Sequence, residues 1–210
     1  ISGTQGTLAN SNASGGSISG KLFEYGNDDT SAFQAAVNAA VAAGGGTVYI
    51  SPGSCLVSRV NLTNINGLRI AGDGTDQSRI FPLQVASYGT ATGHLFDLTG
   101  SSFVRLENFQ IGAFYELAAP TTAIFMGQIA SGSSNRNGID HMYISGQYSG
   151  CTFYDYGVPS LYTIKDSDFY NYSPGAGAHN VECLTATNIF NYSSSFATVT
   201  TGTQSTSDIA

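Results

Sequence analysis

Tryptophan is absent from this 210-residue chain, and charge is scarce: charged residues make up 10% of it, where globular chains usually carry about 25%. So small a supply of Lys and Glu argues against a helical bundle, whose exposed faces are normally built from those side chains. Lys and Arg together number 7 against 14 Asp and Glu, for a net charge of −7. That leaves little for a nucleic-acid backbone or an anionic membrane surface to hold. No apolar run approaches the roughly 18 residues of a membrane span, and no charged-then-apolar leader stands at the start. The three cysteines, Cys55, Cys151 and Cys183, are widely spaced and form no Cys-x-x-Cys pair. Buried free thiols are therefore expected, with no metal centre and no cofactor.

What is present is glycine (26 residues), Ser, Thr and Asn throughout, and an apolar fraction of 41%. This composition suits many short strands with tight turns around one core. Residues 1–20 have scarcely an apolar anchor and read as a flexible N-terminal arm. Residues 193–210 form a Ser/Thr-rich tail, and 21–192 are the expected folded domain. One helix is predicted over about 30–43. Phe33, Ala36, Val37, Ala40 and Val41 make one apolar stripe, Asp28, Asp29 and Thr30 stand at its start, and Gly44, Gly45 and Gly46 end it. The run Thr47-Val48-Tyr49-Ile50, closed by Pro52-Gly53, reads as a strand and a turn.

A six-residue pattern then recurs, apolar at its first and last positions: Ile65–Ile70, Leu106–Ile111, Ile139–Ile144, Ile164–Phe169 and Leu184–Ile189. Its spacing shrinks toward the C-terminus, unlike the fixed period of propeller blades or helical repeats. The third position holds Gly67, Asn108, His141, Asp166 and Ala186. Gly, Asn, Asp and His accept positive φ most readily, so a corner between two strands is expected there. Asp166 and His141 accordingly read as corner residues first. The runs Leu95-Phe96, Ile124-Phe125-Met126 and Cys151 to Tyr154 would supply one more strand per turn of a coil. Together these features predict an all-β chain: a parallel β-helix of stacked coils with an N-terminal capping helix.

Gly26-Asn27-Asp28-Asp29-Thr30, Phe33-Gln34-Ala35-Ala36-Val37 and Gly44-Gly45-Gly46-Thr47-Val48-Tyr49-Ile50 resemble the opening of the pectate-lyase-like right-handed β-helix. That family includes bacteriophage tailspikes and some polysaccharide-degrading enzymes. The resemblance implies a helix that covers the first strand edges of a right-handed solenoid. It implies a homotrimer on a virion surface or outside the cell, in contact with host polysaccharide and other virion proteins. Of the signatures of polygalacturonase-like members, Asn-Thr-Asp, His-Gly and Arg-Ile-Lys are missing, as is the Arg-x-Pro-x-x-Arg of true pectate lyases. The one Asp-Asp, Asp28-Asp29, belongs to the helix start, so the resemblance carries a fold rather than a reaction.

Stacking the hexads gives outward columns. Glu107 and Asp140 fall one rung apart, near the roughly 5 Å of a retaining glycosidase pair, and Asp140 and Asp168 lie further apart, toward the inverting range. Glu107, Asp140 and Asp168 are therefore the catalytic candidates, against the plainer reading of an exposed charge ladder with Lys165. Tyr143, Tyr170, Asn171, Tyr172, Asn191 and Tyr192 are the candidates for saccharide contact or a subunit interface, since a tyrosine offers a ring face and a polar tip. The repeated Asn-Tyr-Ser predicts that Tyr172 and Tyr192 stack. Two functions lead, a structural and binding spike domain or a polysaccharide hydrolase or lyase, with a secreted bacterial surface protein without a saccharide role as the third.

Overall fold

The structure, a computed structural model, describes residues 27–83, 93–112, 122–126, 136–146, 151–155, 161–171, 179–183, 188–192 and 195–198. The expected N-terminal arm and most of the expected tail lie outside these. The described residues are mostly β, with one helix, α1 (Thr30–Ala42). It is not long and apolar enough to cross a membrane.

Helix α1 buries Phe33 and Val37, while Val41, expected on the same stripe, is 40% exposed. Besides an intrahelical Gln34–Asn38 side-chain bond, the polar residues at its start reach strand edges. Asp29 sits at the N-cap without a side-chain cap bond. Its carboxylate accepts the Leu56 N–H at 3.2 Å, and its own N–H donates to the Leu56 carbonyl at 2.9 Å. Thr30 Oγ1 accepts the Ser58 N–H at 2.8 Å. The Gln34 amide meets both backbone groups of Asn61, at 2.8 and 3.0 Å. An open parallel edge would otherwise leave those groups ready to pair with another chain. At the far end the chain reverses so tightly that a Cβ on Gly45, at φ 120°, would lie 2.5 Å from the Gly67 carbonyl oxygen.

The strands form three open parallel sheets. The first comprises, in spatial order, β1 (Gly46–Ile50), β4 (Asn66–Gly72), β7 (Ser102–Glu107), β10 (Arg136–Asp140), β13 (Leu161–Lys165) and β16 (Asn188–Tyr192). The second comprises β2 (Gly53–Val57), β5 (Ser78–Pro82), β8 (Gln110–Gly112), β11 (Tyr143–Gly146), β14 (Asp168–Asn171) and β17 (Ser195–Thr198). The third comprises β3 (Val60–Asn61), β6 (His94–Asp97), β9 (Thr122–Met126), β12 (Cys151–Asp155) and β15 (His179–Cys183). Consecutive strands enter different sheets in rotation, and each strand pairs with the third one after it. The runs expected as further strands form β6, β9 and β12 of the third sheet.

Alternate residues of the strands turn inward and meet in one core, where Leu68, Ile70, Ile80, Phe96, Leu106, Phe109, Ile111, Ile144 and Phe169 are at most 1% exposed. Phe33, Phe96 and Phe109 continue ring to ring from the cap into that core, with centroids 6.1 and 6.4 Å apart. Buried serine hydroxyls serve the backbone at the bends. Ser78 Oγ donates to the Ile50 carbonyl at 2.8 Å, and Ser167 Oγ accepts the Met142 N–H at 3.1 Å.

The register corrects two of the five hexads. Ile70, not Ile65, lies beside Leu106, so Gly67, though at φ 80°, belongs to the start of β4 rather than to the corner. At the other end Asn191 lies beside Ile164 and Phe196 beside Phe169, so the last repeat is Asn191–Phe196 and not Leu184–Ile189. Apolar residues at a spacing of five recur by chance in a β-rich chain, and only the backbone pairing separates the two frames.

Candidate functional site

The three central hexads share one corner, between the first and second sheets. Asn108, His141 and Asp166 sit there at φ 59°, 49° and 45°, as the third position predicted. The bend is repeated by backbone bonds from one rung to the next: Asn108 N–H to the Asp140 carbonyl at 3.1 Å, and His141 N–H to the Lys165 carbonyl at 3.0 Å. The first-sheet residues just before the bend therefore form a column in which Glu107, Asp140 and Lys165 are register partners.

The column is a charge cluster. Glu107 pairs with Arg69 of the neighbouring strand. Asp140 holds His141 Nδ1 at 2.5 Å and lies 3.9 Å from Lys165 Nζ, while Asp166 is 3.6 Å from His141 Nε2 and 3.5 Å from Lys165 Nζ. Asp140, His141 and Asp166 offer ligand atoms within 4.8 Å of one another. This oxygen–nitrogen–oxygen set suits a divalent cation in type, although Lys165 already lies within ion-pair distance of both of its carboxylates. Glu107 and Asp140 are neighbours as expected, but each faces a cation. Neither sits in the apolar pocket by which glycosidases keep one carboxylic acid protonated. Asp168 stands across the corner, in the second sheet, beside Tyr143.

The aromatic candidates divide. Tyr143 and Tyr170 project from the outer face of the second sheet, both half-buried, with ring centroids 5.6 Å apart and planes inclined by 42°. Gln110 and Asp168 flank Tyr143 in the same row, and Ser145 lies beside Tyr170. The repeated Asn-Tyr-Ser is placed through Asn171, Asn191 and Tyr192. Asn171 pairs with Thr198 in the second sheet, whereas Asn191 and Tyr192 pair with Ile164 and Lys165 in the first. Asn171 and Asn191 thus lie on different sheets, because the register steps from Ile164 to Asn191 and not by 20 residues. Tyr172 itself lies outside the described residues.

Residues that the sequence did not single out occupy the third sheet. His94 is 7% exposed beside Asp97, whose carboxylate holds Arg59 at 2.7 Å. Burial above all pushes the His94 imidazole down to about 4, against the pull of Asp97 and with a smaller push from Arg59. Such an imidazole stays neutral at pH 7 and belongs to the core. Nothing in the periodicity marks it. Cys55 is free and half-buried, and burial followed by the charge of Asp29 raises its thiol, leaving it a poor nucleophile.

No protein-family model matches the chain, and no curated protein matches it. Among solved structures, it is similar to a candidate glycosyl hydrolase from Parabacteroides merdae, with a TM-score of 0.54 and 11% sequence identity. The match covers 82% of this chain and 89% of that one. At that identity the likeness concerns the fold.

Proposed function

We propose that this chain is a right-handed parallel β-helix that recognises polysaccharide through its outer surface, as a trimeric spike or fibre domain of a bacteriophage virion. Support for the coil comes from the rotation of consecutive strands among three parallel sheets and from a helix bonded to the first strand edges. The observation that carries the saccharide reading is the Tyr143–Tyr170 pair, two half-buried rings 5.6 Å apart in a row of polar neighbours on an otherwise regular sheet. Ring faces suit the C–H faces of a pyranose, and Gln110, Ser145 and Asp168 suit its hydroxyls. The trimer and the virion rest on the resemblance of residues 26–53 to tailspike openings.

A polysaccharide-degrading enzyme is the second reading, favoured by the description of the Parabacteroides neighbour and by the His141 imidazole bracketed by Asp140 and Asp166. One experiment separates the two: capsular and O-antigen polysaccharides are incubated with the protein, binding is measured by calorimetry, and products are assayed as new reducing ends or unsaturated-sugar absorbance. The spike reading expects binding without products, weakened about tenfold by Tyr143→Ala or Tyr170→Ala. Products that vanish in Glu107→Gln, Asp140→Asn or Asp168→Asn while binding persists would transfer the protein to the enzymes. Light scattering at about 21.8 kDa at high concentration would remove the trimer.

A further inference from the structure

In a chain with a net charge of −7 and only 7 basic residues, four of those residues lie exposed on strands of one sheet. They are Arg69, Arg105, Arg136 and Lys165, all on the first sheet, against Glu107 and Asp140. Arg69 and Arg105 are register partners, and like charges directly opposite each other repel. Arg69 has Glu107 as its counter-ion, whereas no carboxylate among the described residues pairs with Arg105. The Arg105 guanidinium rests over Gly138, its register neighbour, at the place a side chain would occupy. A Cβ there would meet Nη1 at 2.8 Å and Cζ at 3.4 Å. Thr47 precedes Arg69 in this row, and Thr163 and then Phe190 follow Gly138.

Two residues before Arg105 the backbone is distorted. Phe103 adopts φ 57° and leaves its ring 51% exposed, a conformation that bulky side chains avoid and that recurs at binding sites. The distortion is supported from inside. The Asn137 side chain, 3% exposed, accepts the Val104 N–H at 2.9 Å and donates to the Ser101 carbonyl at 3.0 Å. A buried amide thus does for the backbone what a regular strand pair would have done. The neighbouring strand has Gly67 at the corresponding bend, with φ 80°. The strain at Phe103 is therefore a property of the side chain chosen and not of the bend.

We propose that the outer face of the first sheet is an anion-selective saccharide surface, on which Arg69 and Arg105 hold carboxylate or sulfate groups of an acidic polysaccharide and the Phe103 ring lies against a sugar ring. The inference rests on the saccharide reading above and adds the charge class of the ligand. A planar guanidinium matches a carboxylate or sulfate through paired N–H groups. An anion held there also supplies Arg105 with a counter-ion, which Arg69 already has in Glu107.

The test uses the full chain with hyaluronan, dextran sulfate and neutral dextran as probes, at low and moderate salt. Hyaluronan and dextran sulfate distinguish carboxylate from sulfate as the preferred group. Expected are binding of at least one acidic probe that weakens with salt, a Kd about tenfold higher or more in Arg105→Ala, and partial recovery in Arg105→Lys. Phe103→Asn should also weaken binding while its melting temperature stays level or rises, since Asn tolerates positive φ. A destabilised Phe103→Asn with unchanged affinity would make the ring a packing element and overturn its role. Acidic probes bound equally well by Arg105→Ala, or preference for neutral dextran with loss only in Tyr143→Ala, would overturn the inference and leave the saccharide reading standing. Inorganic sulfate bound at Arg105 with no glycan bound anywhere would reject the saccharide reading itself. An oligomer that dissociates in Arg105→Ala would make this face a subunit interface and reject the proposal.

Discussion

In the N-terminal cap, Asp29, Thr30 and Gln34 turn toward backbone groups of strand edges. At the corner of residues 140–143 and 165–168, the charged side chains turn toward one another. Both regions are polar and both lie at the surface, so composition does not tell them apart. The difference is in the partner. A side chain that completes a backbone ladder is committed to the fold, and its loss exposes an unpaired amide. A side chain paired with another exposed side chain can exchange that partner for water or a ligand at small cost.

The largest effect should come from the apolar path that joins the two regions. Phe96→Ala removes a fully buried ring that stands between Phe33 and Phe109. A loss of about 3–5 kcal/mol is expected in urea denaturation, enough to leave cap and corner unfolding together. A smaller loss would show that the two are held separately.

Acid should be the next most damaging change, and it acts on neither region directly. His94 titrates at about 4 in the folded chain and near 6.5 when unfolded. The unfolded chain therefore takes up a proton below about pH 6.5 that the folded chain refuses until about pH 4. The stability is complete above that window and is lost as the pH falls through it, by on the order of 2–3 kcal/mol. Denaturation curves at pH 7, 5.5 and 4 check this, and in His94→Gln the loss over the window should shrink.

Within the cap, Gln34→Ala should cost about 1–2 kcal/mol, because both backbone groups of Asn61 lose their partner at once. Within the corner, Asp140→Asn and Glu107→Gln should each change stability by less than about 1 kcal/mol. A cap substitution as mild as a corner one would erase the distinction. If Asp140→Asn proved as damaging as Phe96→Ala, the corner would be a structural element.

Much of the architecture was legible because it depends on local chemistry. The stripe at Phe33 and Val37, the glycines after the helix, and the apolar ends of the hexads each act within a few residues of themselves. The middle three repeats were placed correctly because Asn108, His141 and Asp166 are residue types that accept a left-handed bend. The outer two repeats were misplaced, since a Gly that marks one corner also fits another, as Gly67 does. The site was legible only in part. Tyr143 beside Asp168 follows from the hexads, but the contact of Tyr143 with Tyr170 crosses rungs diagonally.

The sequence by itself determined the class of this protein: alternating apolar residues can bury one face of a strand, bend-tolerant residues can turn it, and scarce charge cannot cover helices. Which strands became neighbours was decided by the tertiary structure alone. The loops between the hexads differ in length, so distance along the chain does not convert into distance along the stack. Arg105 opposite Arg69, Arg59 beside Asp97, and Asn137 beneath the bend at Phe103 are all products of that pairing. Each joins residues more than thirty positions apart, which no local pattern records.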